Sequence, residues 1–389
     1  MKKMLVFPYG LEFSPVLRHS DLIASEYDIK ALVSPRGWKL CGDEITYRKA
    51  GASKSSLLVQ PEFTADLLQE IDTILIPPFA GNEKYESKVI AEVIRICHDI
   101  QEVICCKLFD AKNHARLEQS CKDAGCTFRD WATPKKQHDF EFMHSGDLDI
   151  YKYDTVNSSL LPINTPVIAV AGTGEGVDKF EVSLAVRRML LSGGYQAAQI
   201  GSKNYCELLG FHSFPSFMFD PQIDERLKVT LFNRYVKQIE ESEHPDLLII
   251  GIPGACKSFS DEITQGFGLL HFMVFQAIAV DYLIMCSYYA NKNLIDFFRL
   301  DSEISKHKYS CSVDCYHLSG TQIDPNSTLE LRRLITNLIP LEQVDQTILE
   351  NQGLLEDSDP ILVNIYADAG RQALYQDILT KLNPEYVLL

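Results

Sequence analysis

The sequence is short of positive charge. Its 37 Lys and Arg face 53 Asp and Glu, a formal net charge of −16 at pH 7. Holding nucleic acid or an anionic membrane requires a basic surface, so neither is expected as a partner, although a local basic pocket stays open. No uninterrupted apolar run approaches the about 20 residues that span a bilayer. The opening MKKMLVFPYG reads as a strand and a turn. It is too short and too interrupted by proline for a signal peptide. No CxxC pair exists among the 11 cysteines, an odd number in a chain far larger than a disulfide-stapled scaffold. A cytoplasmic protein with reduced thiols is therefore expected. A dinucleotide fingerprint, G-x-G-x-x-G, is also missing from the first strand–turn unit, so no dinucleotide site is indicated there.

The thiols themselves read as packing groups. Cys105 and Cys106 are adjacent inside an apolar stretch, where a free cysteine behaves as a small hydrophobe. Cys311, Cys315 and His317 come nearest to a ligand cluster. The segment YSCSVDCYHL alternates like a strand rather than a helix, which separates them, and no metal is assigned.

What is present is ordinary globular material, 46% hydrophobic and 23% charged over 389 residues, enough for two domains. In the front half, strands are expected at Met4–Phe7, Tyr27–Val33, Thr73–Ile76 and Val103–Phe109. Helices are expected from Ser14–Pro15 through Ala24, with Ser14 as cap, and over Glu86–Asp99 and Lys112–Ala124. Short apolar strands alternating with amphipathic helices predict a parallel sheet covered on both faces. Residues 127–160 lose this rhythm and read as a connector. The pattern then restarts, with strands at Pro166–Ala171, Gln196–Ile200, Asp246–Ile252, Val280–Cys286 and Ile361–Tyr366. Its helices are expected after Lys179 and over Asp224–Glu243, Leu294–Lys306 and Arg371–Leu382. Phe267 and Phe272, flanking His271, read as helix core. The fold class is α/β: a Rossmann-like parallel-sheet domain over 1–126, then a P-loop-like α/β domain over 161–389.

The rear half carries the main chemical signal. Strand PVIAVA runs into the glycine-rich turn GTGEGVDK, Gly172 to Lys179, and then into a helix. In such a turn, successive backbone N–H groups curl around phosphate oxygens, and the helix N-terminus adds partial positive charge. A lysine reaches the terminal phosphates and a following hydroxyl holds magnesium. Laid on G-x-x-x-x-G-K-[ST], this sequence keeps the lysine but puts Thr173, Asp178 and Phe180 at the other marked places. Phe180 offers no ligand to magnesium. If the Asp178 carboxylate faced a phosphate about 5 Å away, it would cost about 3 kcal/mol at an effective dielectric of 20. No magnesium carboxylate closes DLLIIGIPGA, and Asp261 is the next acid. The candidate phosphate-binding residues are Thr173, Gly174, Glu175, Gly176, Val177 and Lys179. Three readings stay open: an inherited turn without ligand, a nucleotide or other phosphate-bearing ligand held without hydrolysis, and phosphoryl transfer.

A second stretch stands out, IGSKNYCELLGFHSFPSFMF from Ile200 to Phe219. Its place after a strand, its aromatics and its polar tips suit a substrate or partner loop built on Ser202, Tyr205, Glu207, His212 and Ser213. Phenylalanines packed into a core are the alternative. Cys206 and His212 form a conceivable nucleophile and base, but no third group is available to orient them.

These strings carry two resemblances. Gly172, Thr173, Gly176 and Val177 resemble the GTxxGVGK loop of dethiobiotin synthetase and the MinD-like P-loop proteins. The strings FPYGLEFSPVLRH, SPRGWKLCG, DKFEVSLAVRRMLLSGGYQAAQIGSKNYCELLGFHSFPSFM and PDLLIIGIPGA resemble the clostridial peptide-maturation-system proteins encoded beside radical SAM maturases of cysteine-rich peptides. A weaker likeness joins the chain to proteins with a Rossmann-like front and a P-loop rear, including an N-acetyl amino-acid racemase component. The maturation resemblance implies an accessory or binding protein in production of a ribosomally made peptide natural product. A precursor peptide or a radical SAM maturase is the implied partner. An ATP-dependent ligase or amide-forming transferase, with Lys179 as phosphate clamp, is the rival. A scaffold subunit of a maturase complex is the third reading, and homo-oligomerisation stays open.

Overall fold

A computed structural model describes residues 1–23, 26–48, 54–132, 159–356 and 358–382. It is mixed α/β, and the chain divides into two compact units.

The first unit holds a seven-stranded sheet. Its strands are β1 (Lys2–Val6), β2 (Tyr27–Val33), β3 (Glu44–Arg48), β4 (Lys54–Gln60), β5 (Thr73–Ile76), β6 (Glu102–Cys105) and β7 (Thr127–Asp130). They run in the order β3-β4-β2-β1-β5-β6-β7, parallel except for the β3–β4 pair. The helices are α1 (Ser14–Arg18), α2 (Ala65–Gln69), α3 (Glu83–Ile96) and α4 (Ala111–Asp123). Asn82 and Asp110 start α3 and α4, each accepting from the N–H three residues on. Such a cap contributes about 1 kcal/mol. Val89, Ile90, Val93 and Ile96 of α3 and Leu117 and Cys121 of α4 recur at helical spacing and bury one face against β1, β5 and β6. Cys105 and Cys106 are both buried, as their apolar setting predicts. Ser14 departs from its expected role. It opens α1 as a helical residue, and its hydroxyl bonds Tyr9 Oη at 2.9 Å instead of capping.

The front boundary also moves. Thr127–Asp130 pairs in parallel with β6, so these residues extend the sheet and do not belong to a connector. From 133 to 158 the expected connector lies outside the described residues.

The second unit contains β8 (Val167–Gly172) and α5 (Lys179–Ser192), then β9 (Ala197–Gly201). Residues 204–213, with the two-residue strand β10 (His212–Ser213), group with the first unit, so the rear domain is not the continuous 161–389 expected. The second unit resumes with α6 (Glu225–Glu243), β11 (Leu247–Gly251), α7 (Leu269–Ala277), β12 (Tyr282–Ser287), α8 (Leu294–Tyr309) and β13 (Cys315–Leu318). A small antiparallel pair follows, β14 (Thr321–Ile323) with β15 (Thr336–Leu338), and α9 (Pro325–Leu331) lies between them. The unit closes with α10 (Leu341–Gln352), β16 (Ile361–Val363) and α11 (Asp368–Leu382). Six of its strands run parallel in the order β9-β11-β8-β12-β13-β16.

β8 is central and every residue of it is buried, which is why VIAVAG is apolar throughout rather than alternating. Its odd-numbered residues pack against α6, α7, α8 and α10. Its even-numbered residues pack against α5 and α11. Each buried Val or Ile adds about 1.5–3 kcal/mol. His271 and its neighbours are a correction to the helix-core reading: His271 is buried, while Phe267 is 70% and Phe272 40% exposed. Among the described residues no helix is long and apolar enough to cross a membrane.

Candidate functional site

The glycine-rich turn occupies the carboxyl end of central β8, between the ends of β11 and β12, where parallel sheets bind ligands. Three contacts fix its shape. Thr173 is buried and gives its N–H to the Cys286 carbonyl at 2.9 Å. Tyr288 Oη donates to the Glu175 carbonyl at 2.7 Å, and Thr321 Oγ1 donates to the Gly176 carbonyl at 2.8 Å. A Cβ on Gly174 would lie 2.2 Å from Tyr288 Oη, so glycine is required for this close approach. Gly176 takes φ +72°, which favours glycine for the reason that no Cβ is present to clash. Val177 is buried among the core residues that face α5.

The carbonyls of Gly174, Glu175 and Gly176 are taken by Lys179, Tyr288 and Thr321. Among the described residues, the N–H groups of residues 174–178 donate to no protein acceptor. They lead into the first turn of α5, whose dipole adds to the same positive field.

Lys179 begins that helix and is 7% exposed. Its ammonium donates to the Gly174 carbonyl at 2.9 Å and to the Gly254 carbonyl. Its nearest carboxylate among the described residues is Glu175, 4.0 Å away on a side chain 71% exposed. Burial pushes the ammonium below the ordinary lysine range, Glu175 opposes that, and Lys203 adds to it. A charge taken out of water needs compensation. Here two neutral carbonyls and one solvated carboxylate supply it.

Asp178 is placed differently from the sequence expectation. It sits at φ +63° with its carboxylate turned to the far edge of the loop. There it accepts from Ser319 Oγ at 2.6 Å and Tyr366 Oη at 3.1 Å, and lies 3.4 Å from His317 Nε2. His317 Nδ1 accepts the Ile365 N–H at 3.3 Å, which assigns the ring proton to Nε2, facing Asp178. Burial pushes the Asp178 carboxyl up, but His317, Ser319 and Tyr366 outweigh it and hold the group below the usual range. The carboxylate thus anchors the turn to β13 and to the loop after β16, and the charge penalty of about 3 kcal/mol considered for it does not arise in this geometry.

Phe180, in the place of a magnesium-holding alcohol, is buried. Ser183, one turn on, gives its hydroxyl to the Phe180 carbonyl at 2.8 Å. β11 ends in Gly251, followed by Ile252, Pro253 and Gly254, so its end brings a carbonyl to Lys179 and no acid. His271 on α7 is fully buried, and among the described residues neither ring nitrogen has a hydrogen-bond partner. Burial first, then the charges of Lys179 and Lys308, push its pKa well below the usual value, leaving a neutral imidazole.

The second candidate stretch separates. Ser202 stays in the second unit beside Gly251, its N–H nitrogen 3.6 Å from where a Cβ there would lie. Tyr205, Glu207, His212 and Ser213 group with the first unit. Tyr205 is buried against Phe13, with ring centroids 5.7 Å apart. Asn204 Nδ2 donates to the Cys106 carbonyl at 2.8 Å. Glu207 closes the loop on itself by accepting the Ser213 N–H at 3.0 Å and hydroxyl at 2.5 Å. Phe214 and Phe217 are core residues near Phe232 and Tyr235. Within the first unit, Tyr205 is thus taken into packing and Glu207 and Ser213 into a contact with each other.

No protein-family model matches the chain, and no curated protein sequence is similar to it. Among solved structures, the crystal structure of a DUF1611 family protein from Anabaena variabilis matches 98% of this chain and 100% of its own, with TM-score 0.57 and 12% identity. At that identity the likeness shows the fold. Two α/β units of Rossmann-like architecture are thus a shape that another natural chain also adopts.

Tyr288, His317, Ser319, Thr321 and Tyr366, all shaping the turn, were not singled out as site residues in the sequence. His317 drew attention as a possible metal ligand, and its position on β13 turns it to Asp178 instead.

Proposed function

We propose that the second unit binds a phosphate-bearing ligand, a nucleotide or a smaller anion, at the turn from Thr173 to Lys179, and holds it without magnesium-assisted hydrolysis. The observation that carries this reading is Lys179: a buried ammonium bonded to two carbonyls, beside a row of N–H groups without protein acceptors. A phosphate would satisfy both at once. The carboxylate of Asp178, turned away to Ser319 and Tyr366, leaves that position open to an anion. Phe180 in place of the alcohol supports binding over turnover. We place this binding in the maturation of a ribosomally made peptide, with a precursor peptide or a maturase as partner, on the strength of the resemblance described above.

Calorimetric titration with pyrophosphate, ADP and ATP, with and without magnesium, tests the reading. Binding is expected that is indifferent to magnesium and falls by about tenfold or more in Lys179→Met, one charge-assisted contact being worth about 1.5–3 kcal/mol. Absence of binding by all three anions sinks the site. ATP turnover that requires magnesium and a peptide, and collapses in Lys179→Met, would install the ligase reading in its place.

A further inference from the structure

The first sheet has its own reversal of strand order, at β1. From β1 the chain moves to β2 on one side, and β5 later pairs with its other side. The loops after β1 and β5 therefore leave their strands in opposite directions, and a crevice opens between them at the carboxyl ends. In this unit the crevice is a cavity of about 440 Å³, lined by residues that include Pro8, Leu11, Glu12, Phe13, Trp38 and Phe79. That volume fits a small organic ligand.

The walls are aromatic and their positions are set by packing. The Trp38 ring comes within 3.1 Å of where a Cβ on Gly10 would be. It also lies 6.3 Å from Phe79 and 5.7 Å from Tyr85 between ring centroids. Phe79 and Tyr85 meet edge to face at 5.6 Å, which holds Phe79 in turn.

The lining carries charge of one sign. Pro8, Pro77 and Pro78 on the lining carry no N–H and no polar side-chain atom. Glu12 is the one charged side chain on the lining, and among the described residues it makes no ion pair. Lys107 stands 5.2 Å from the Phe79 centroid, but its charge is taken by Glu86 at 2.9 Å. A cavity with aromatic walls and one carboxylate outside any ion pair is matched by a ligand that brings positive charge on an apolar body.

From this we infer that the first unit binds a small organic ammonium compound in the crevice between β1 and β5, its apolar part against Trp38 and Phe79 and its ammonium on Glu12. The site is independent of the phosphate reading of the second unit and stands or falls without it.

The chain has 2 tryptophans, Trp38 and Trp131, so Trp131→Phe leaves Trp38 as the sole indole reporter. Titrating that variant with benzylammonium, benzyl alcohol and benzoate separates charge from shape. A saturable change in Trp38 emission is expected with benzylammonium, about tenfold weaker binding with benzyl alcohol, and no response to benzoate. Glu12→Gln, on an exposed side chain, should bring benzylammonium down to the benzyl alcohol affinity and leave benzyl alcohol unchanged. If Trp131→Phe perturbs folding, the Trp38 indole N–H resonance of the parent protein gives the same reading by NMR. No saturable response to benzylammonium, or a response to benzoate of equal strength, overturns the inference.

Discussion

Among the charged side chains held almost wholly out of water, Glu102 in the first unit and Lys179 in the second are treated in opposite ways. Glu102, at the amino end of β6, is 1% exposed. Its carboxylate is met by Lys2 at 3.1 Å and Arg129 at 2.6 Å, with the hydroxyls of Thr73 at 3.1 Å and Tyr27 at 3.3 Å. Lys179, at the carboxyl end of the second sheet, is met by two carbonyl oxygens and a solvent-facing glutamate at 4.0 Å. A buried ion with counterions and hydrogen bonds in place is a finished structural element. On the reading proposed above, Glu102 is a charge that serves the fold and Lys179 a charge positioned for a ligand.

Removing the two charges is the strongest way to break that comparison. Glu102→Ala leaves Lys2 and Arg129 facing an empty site. Their side chains are 35% and 39% exposed, so water screens part of the loss. A destabilisation of about 2 kcal/mol is expected by chemical denaturation, below the usual cost of breaking a fully buried pair. Lys179→Met, by contrast, should stay within about 1 kcal/mol of the parent in the absence of anions, since replacing an uncompensated buried ion by an apolar chain is often neutral. Equal losses in the two variants would mean that Lys179 is there for its carbonyl contacts, and the contrast would disappear.

Asp178 sharpens the comparison from inside the second unit. It lies next to Lys179 in sequence, yet its carboxylate accepts from two hydroxyls and faces the His317 ring. Asn tolerates the left-handed backbone at this position, so Asp178→Asn removes charge with little strain. A loss of about 1–2 kcal/mol at neutral pH is expected, from hydrogen bonds to a charged group. The folded pKa is depressed below the ordinary 3.8, so this contribution is present above that value and fades as pH falls through the folded one. The gap between parent and variant should therefore close below about pH 4 in acid denaturation. A gap that stays constant to lower pH would show that the lost contacts do not depend on the carboxylate charge.

The same residue shows how far the sequence can be read. Local signals carried the scaffold: Tyr27–Val33 and Thr73–Ile76 form strands at the expected residues, and strand, glycine turn and helix fall in order from Val167 to Ser192. The orientation of Asp178 was not legible, because its partners stand 139 positions away at His317 and 188 away at Tyr366. No spacing rule spans such distances; the parallel crossovers that join β8, β13 and β16 create the contact. The packing of the loop after β9 was illegible for a related reason. Its mixture of aromatic and polar residues looks like one site, but Phe214 and Phe217 are drawn into a core and Glu207 closes on Ser213. Composition indicated an unusual loop without indicating which side chains the packing would claim.

The smallest effect tests the contrast most directly, through the proton on Lys179. Burial lowers its folded pKa below the ordinary 10.5. Between those two values the unfolded chain keeps a proton that the folded chain has released. Stability therefore rises with pH across that window, the reverse of a lysine held by a counterion. Other groups titrate in alkali as well, so the quantity to follow is parent minus Lys179→Met, by denaturant midpoint from about pH 8 to 10. A rise below about 1 kcal/mol is expected without anions. Saturating pyrophosphate should flatten it, because a bound anion restores the charge that the fold leaves uncompensated. A difference that is flat without anions would mean the ammonium is already satisfied by Gly174, Gly254 and Glu175, and Lys179 would then belong with Glu102 as a finished part of the fold.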